Sequence, residues 1–195
     1  MLPRWMGWVL GVVVLLCTGG IILAVALGHG GGSGDTTPTP APDASVLTAY
    51  TAALAPPTKE GGRIVEQEMK PSLGDFESGK LDAAGFVERA KGWQLELARV
   101  RDQIDRISVP PAIASAGPLF HTAMQAYIDA ARLFEHAGEV SQAQRQAALD
   151  TAVAAARRAD SDFDVAAQVV QRALRAAGLP ADHSLPDVTP TPLPT

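Results

Sequence analysis

The apolar residues Phe86, Ala90, Trp93, Leu97, Val100, Ile104 and Ile107 recur at steps of four, three, four, three, four and three, which lines them up on one face of an α-helix. Asp82 precedes this seam as an N-cap, Leu81 and Phe86 hold the two positions of a hydrophobic staple, and Ser108-Val109-Pro110-Pro111 ends it. A second seam follows at Phe120, Ala123, Tyr127, Ala130, Phe134 and Ala137, with Gly138 read as its left-handed terminator. That helix starts at Pro118, with the proline in its first turn, or at Pro111 with a kink at Pro118. Ser141-Gln142-Ala143-Gln144 matches a capping box and opens a third helix. Its seam reads Leu149, Val153, Ala156, Asp160, Phe163, Ala167, Val170, Leu174 and Ala177, closed by Gly178-Leu179-Pro180.

The stretch before Asp82 is less regular. Leu47, Tyr50 and Leu54 predict one short helix and Val65, Met69, Leu73 and Phe76 another, while Pro56-Pro57, Gly61-Gly62, Pro71 and Gly74 interrupt them. No run of alternating apolar and polar residues is long enough for a strand. Short connections make antiparallel neighbours the economical arrangement. The expected fold is therefore all-α, an antiparallel up-down four-helix bundle over 44–182 whose first helix is irregular and broken by proline and glycine.

A third pattern occupies the N-terminal end, where residues 5–27, WMGWVLGVVVLLCTGGIILAVAL, are apolar almost without interruption. As a helix they would reach roughly 34 Å, enough to cross a hydrocarbon core of ~30 Å with some tilt. Trp5 and Trp8 fall where rings prefer the headgroup level, and Arg4 supplies the positive flank that stays inside. The expectation is a single transmembrane anchor over 5–27 with Arg4, Trp5 and Trp8 as its anchoring residues. Residues 1–4 would be cytoplasmic, everything from Gly28 on extracytoplasmic, and the lipid bilayer the first partner. Two alternatives stay open. Cleavage after Ala26 would release a secreted protein, and Cys17 could carry a lipid, although Leu16 stands where lipoprotein signals place a small residue.

Residues 28–43 form a Gly/Ser and then Thr/Pro spacer, and residues 183–195 a Pro/Thr-rich tail expected to be disordered. Cys17 is the sole cysteine, so the outer domain has neither a disulfide nor a thiolate ligand. The chain of 195 residues carries 16 Lys and Arg against 21 Asp and Glu, a net charge of −5. A mildly acidic, mixed surface argues against nucleic acid as a partner.

Catalytic and cofactor patterns find no match in this chain. A di-iron carboxylate bundle needs Glu-x-x-His, and the residues three before His121 and His136 are Pro118 and Leu133. The two histidines stand roughly 22 Å apart along one helix, too far to share an ion. Asp160-Ser161-Asp162-Phe163-Asp164 resembles the start of a calcium loop, but Val165 replaces the turn glycine and Gln171 the distal Glu. Asp160 is the one polar residue on an apolar seam. Either Ala159 takes the core position and Asp160 rotates to its edge, or Asp160 is a buried carboxylate paired with Arg89 or Arg99 that fixes the register of the bundle.

All eight aromatic residues beyond the N-terminal run, namely Tyr50, Phe76, Phe86, Trp93, Phe120, Tyr127, Phe134 and Phe163, fall on helical seams and are assigned to the core. Ala-rich seams beside bulky rings could still leave a gap for a small molecule. The expected function is that of a non-catalytic, membrane-anchored extracytoplasmic bundle with no cofactor, a protein-interaction or scaffolding module of the cell envelope whose partner is an envelope protein. The alternative is an extracytoplasmic ligand-binding or sensory bundle. A sensor of the chemoreceptor type would be expected to return through a second span, and the long spacer would decouple bundle from membrane helix, both of which favour the first reading. The layout of a tethered helical domain between Thr-Pro tracts is similar to that of bacterial surface proteins, a likeness of composition alone.

Overall fold

The computed structural model describes residues 43–180, and they form an all-helical bundle. The first arm consists of α1 (Ala44–Arg63), a wide π-helical turn (Ile64–Met69) and α2 (Lys70–Glu77), joined without a loop. After it come α3 (Ala83–Asp105), α4 (Ala116–Glu139) and α5 (Gln142–Ala176).

The first arm is continuous where the sequence predicts breaks. Pro56 and Pro57 both lie inside α1, where each removes one backbone hydrogen bond and crowds the carbonyl four residues back. Burial outweighs that local cost: Leu47, Tyr50, Leu54, Pro57 and Gly61 in α1, followed by Ile64, Val65 and Met69, make one buried stripe. Pro71 stands at the start of α2, just behind the wide turn, in which Lys70 N–H bonds to the carbonyl of Val65 five residues back. The helix thus changes register where the proline has no N–H to offer.

Helix ends follow local chemistry with two corrections. The Asp82 carboxylate accepts from Gly85 N–H at 2.8 Å, as its position predicts, and Asp43 does the same for Ser45 N–H at 2.9 Å. Gly178 takes φ +72°, and the bond from Leu179 N–H to the Leu174 carbonyl at 2.9 Å completes a Schellman end on α5. Gly79, φ +75°, ends α2 in the same way, with Lys80 N–H bonded to the Asp75 carbonyl at 2.8 Å.

Gly138 is not a left-handed terminator. The helix passes through it to Glu139 and stops at Val140, which is extended. A Cβ at Gly138 would stand 2.6 Å from Val87 Cγ2, so the glycine is there to let α3 and α4 approach. Ser141 opens α5 but makes no capping bond to the backbone, its hydroxyl donating instead to the Gln144 side chain at 2.8 Å. Pro118 lies in the first turn of α4, and Pro111–Ile113 forms a separate short turn that seats Ile113 in the core.

Every neighbouring pair runs antiparallel. Ser72 meets Arg89 while Arg63 reaches Glu96, Gln94 meets Glu135 while Asp105 reaches His121, and Tyr127 meets Asp160 while Phe120 packs on Phe163. Arg145 over the Phe76 ring at 5.0 Å joins α5 back to the first arm.

The eight rings assigned to the core are all buried. Phe86 centres a cluster, stacked on Phe76 at 4.1 Å and edge-on to Trp93 at 5.8 Å and Phe134 at 6.1 Å. On α5 Ala152 takes the core position expected of Val153, and Ala159 takes the core with Asp160 at its edge, the first of the two readings of that seam. Among the described residues no helix is long and apolar enough to cross a membrane. Arg4, Trp5, Trp8 and the apolar run at 5–27 lie outside the described residues, as do spacer residues 28–42 and the tail at 183–195.

Candidate functional site

The first arm and α3 stand apart over a short stretch, and a surface cleft of about 300 Å³ opens there. Gln67 and Glu68 of the wide turn, together with Pro71 and Ser72 of α2, form one wall, and Arg89, Gly92, Trp93 and Glu96 of α3 form the other. Two features of the chain meet at the opening. The wide turn, with more residues per turn than an α-helix, supplies Gln67 and Glu68 of one wall. Opposite it, a Cβ at Gly92 would meet no atom within 4 Å, so the missing side chain becomes free space.

Polar groups in the cleft are held in place. Ser72 is only 2% exposed, and its hydroxyl accepts from an Arg89 guanidinium nitrogen at 2.8 Å. That bond fixes one prong of the guanidinium fork against the arm. At the opposite end, Arg63 donates to both oxygens of Glu60 at 2.9 and 2.7 Å, pairs with Glu68 across the wide turn, and lies 3.5 Å from Glu96. The five-residue step from Arg63 to Glu68 is brought onto one face by the π geometry. The hydrogen bonds to Glu60 and Glu68 raise the Arg63 pKa further, and the Arg63 bond holds the Glu60 carboxyl below the usual range. These pairs are half open to water, so their role is to place charge more than to add stability.

A second polar intrusion lies between α4 and α5. The hydroxyl of Tyr127, 4% exposed, donates to the Asp160 carboxylate. Burial raises the Tyr127 pKa, and the neighbouring Asp160 charge raises it again. Burial likewise pushes the Asp160 carboxyl up, opposed by the Tyr127 bond and by the charges of Lys70 and Arg157. Ala159 is fully buried and Asp160 half-buried at the edge of the seam, bonded to a tyrosine and not to Arg89, which bonds Ser72. His121 bonds Asp105 at the surface, at 2.9 Å. Among the described residues no group of three or more His, Asp or Glu side chains is placed to hold a metal ion.

The interior gap anticipated beside the alanine seams occurs beside glycines instead. Gly61 and Gly62 face Leu97, Met124 and Phe163 across a space of about 10 Å³, room for a single water at most. The outer cleft is thirty times larger by the same measure and carries the polar groups. Gly92 lies between seam residues, and Gln67 and Arg89 look like ordinary solvated positions along the sequence. The one local cue was a glycine in the interior of a charged helix, where it destabilises unless the missing side chain matters.

No protein-family model, curated protein or solved structure matches the chain. What the cleft can do is therefore read from its own groups. It offers the Arg89 guanidinium, the Glu96 carboxylate about two helical turns along α3 from it, the Glu68 carboxylate, the Gln67 amide, and apolar surface from Pro71, Gly92 and Trp93. This arrangement suits recognition of a small molecule.

Proposed function

We propose that the chain is a membrane-anchored, extracytoplasmic helical bundle that acts by binding and not by catalysis, as a protein-interaction or scaffolding module of the cell envelope. The observation that carries this reading is the order of segments: Arg4, the apolar run 5–27 with Trp5 and Trp8, a Gly/Ser and Thr/Pro spacer, and then a helical domain of its own core. A span followed by a flexible spacer holds a domain near the membrane while leaving it free to turn toward a partner. Two measurements on intact cells test it. External protease should digest the bundle while sparing the N-terminal segment in the membrane fraction, and in-cell cross-linking should return one envelope protein reproducibly. A bundle protected from external protease, or a mature chain starting at Leu27 in the medium, would overturn the anchored reading.

The cleft supports a second reading, a small-ligand-binding bundle. Its volume of about 300 Å³ falls at the lower limit of small-molecule sites. The full chain in detergent micelles should then melt at higher temperature with at least one member of a panel of amino acids, amines, carboxylates and sugars. The shift should vanish in Gly92→Leu, whose side chain fills the opening. A panel with no Gly92-dependent shift sinks this reading and leaves the anchored-module proposal untouched.

A further inference from the structure

We infer that the cleft between the wide turn and α3 takes a small zwitterion, a molecule with an ammonium and a carboxylate at opposite ends of a short aliphatic chain. The inference rests on the ligand-binding reading and specifies what that ligand is. Three features of the cleft carry it.

The first is the distribution of charge. At one end Arg89 donates to the neutral hydroxyl of buried Ser72, which positions the guanidinium without neutralising it. At the other end the lining residues Glu68 and Glu96 share the guanidinium of Arg63, which also pairs with Glu60 outside the lining, leaving carboxylate charge in excess. A simple anion attracted to Arg89 would face that excess along the cleft, and a simple cation drawn to the carboxylates would face Arg89. A molecule carrying both charges, correctly spaced, satisfies both ends.

The second is distance. Arg89 and Glu96 are seven residues apart on α3, two helical turns and roughly 10 Å of rise, and both line the cleft. The charges of the ligand must therefore be separated by several bonds, as in an ω-amino acid or a dipeptide. The third is the lining between the charged groups, where Gly92, Pro71 and Trp93 supply apolar surface and Gln67 is the one uncharged amide beside them. An aliphatic linker fits that stretch.

The test uses the full chain in detergent micelles and isothermal titration with 6-aminohexanoate as the probe. Hexanoate and hexylamine serve as half-molecules carrying one charge each. The expected result is saturable binding of 6-aminohexanoate, about tenfold or more tighter than either half. Arg89→Gln should weaken 6-aminohexanoate about tenfold while leaving hexylamine unchanged, and Glu96→Gln should do the reverse with respect to hexanoate. Both variants change surface groups, so thermal melting should confirm that they fold, and they keep the test valid if Gly92→Leu does not. Half-molecules that bind as tightly as the zwitterion would overturn the inference, as would 6-aminohexanoate binding insensitive to both charge changes. A Gly92-dependent shift with another compound class, alongside no 6-aminohexanoate binding, would overturn the zwitterion and retain the ligand-binding reading.

Discussion

The α3–α4 pair and the first arm solve the same packing problem with different materials. Along α3 and α4 the apolar residues keep a regular three-and-four spacing, and Gly138 lets the backbones close until Val87 fills the space above it. Along the first arm, prolines and glycines interrupt the pattern, yet the helix continues because its buried stripe is complete. The first pair is tight where the glycine is needed; the arm is loose where its glycines are not. Gly62 and Gly74 of the arm, and Gly92 of α3 where it faces the arm, each have no atom within 4 Å of where a Cβ would stand, and a cleft of about 300 Å³ opens beside the last of them.

That contrast can be tested by substitution. The largest effect is expected at the hub of the tight region, where Phe86→Ala should cost about 3–5 kcal/mol in chemical denaturation, since Phe76, Trp93 and Phe134 all lose their shared ring. Next comes the arm. Pro56 is exposed within α1, so Pro56→Ala should stabilise by up to about 3 kcal/mol by restoring an N–H to the helix. A null result there would mean that the arm is broken at the prolines in solution. The paired glycine test follows, with opposite signs: Gly138→Ala should destabilise by about 1–3 kcal/mol through overpacking against Val87, while Gly62→Ala should stabilise by about 0.5–1 kcal/mol. Equal signs would erase the distinction between the two regions.

The smallest effect concerns the junction of α4, α5 and the arm. Burial raises the Asp160 pKa above its ordinary 3.8, with Glu66 adding to the rise and Tyr127, Lys70 and Arg157 opposing it. The folded state therefore holds this proton more tightly than the unfolded chain does. Its stabilising contribution is complete below the unfolded value and is lost as pH rises through the folded one. Asp160→Asn keeps an acceptor for the Tyr127 hydroxyl without the charge. It should match the parent at acid pH and exceed it at neutral pH by a few tenths to about 1 kcal/mol, read from paired melting curves. A variant less stable at neutral pH would show that the ionised carboxylate is the favoured form.

The regular helices were legible because periodicity reports burial directly, and the residues that line up at three and four are the ones that pack, from Phe86 to Ile104 and from Phe120 to Ala137. The first arm was misread because proline and glycine signals describe local cost, while continuity depended on Ile64, Val65 and Met69 finding partners across the bundle. Gly138 was misread for a related reason: a helix-ending glycine and a close-contact glycine look alike until the neighbouring Val87 is known. Apart from Gly92, a glycine inside a charged helix, the cleft left no trace in the sequence. Its residues come from three elements, the wide turn, α2 and α3, and the wide turn leaves no motif.

The seam that follows the paired glycines steps from Gly61 to Val65, Met69, Leu73 and Phe76 by four, four, four and three. Remove one residue between Val65 and Met69 and the steps become four, three, four and three, the interval of the other helices. The wide turn is thus the mark of one surplus residue, absorbed as a bulge without turning Leu73 or Phe76 away from the core. Deleting exposed Gln67 should leave a folded bundle with a straighter arm and a narrower cleft, its cost set by Pro71 entering a regular helix. The surplus residue thus places Pro71 and the recess next to α3 together, and a shortened arm should change both.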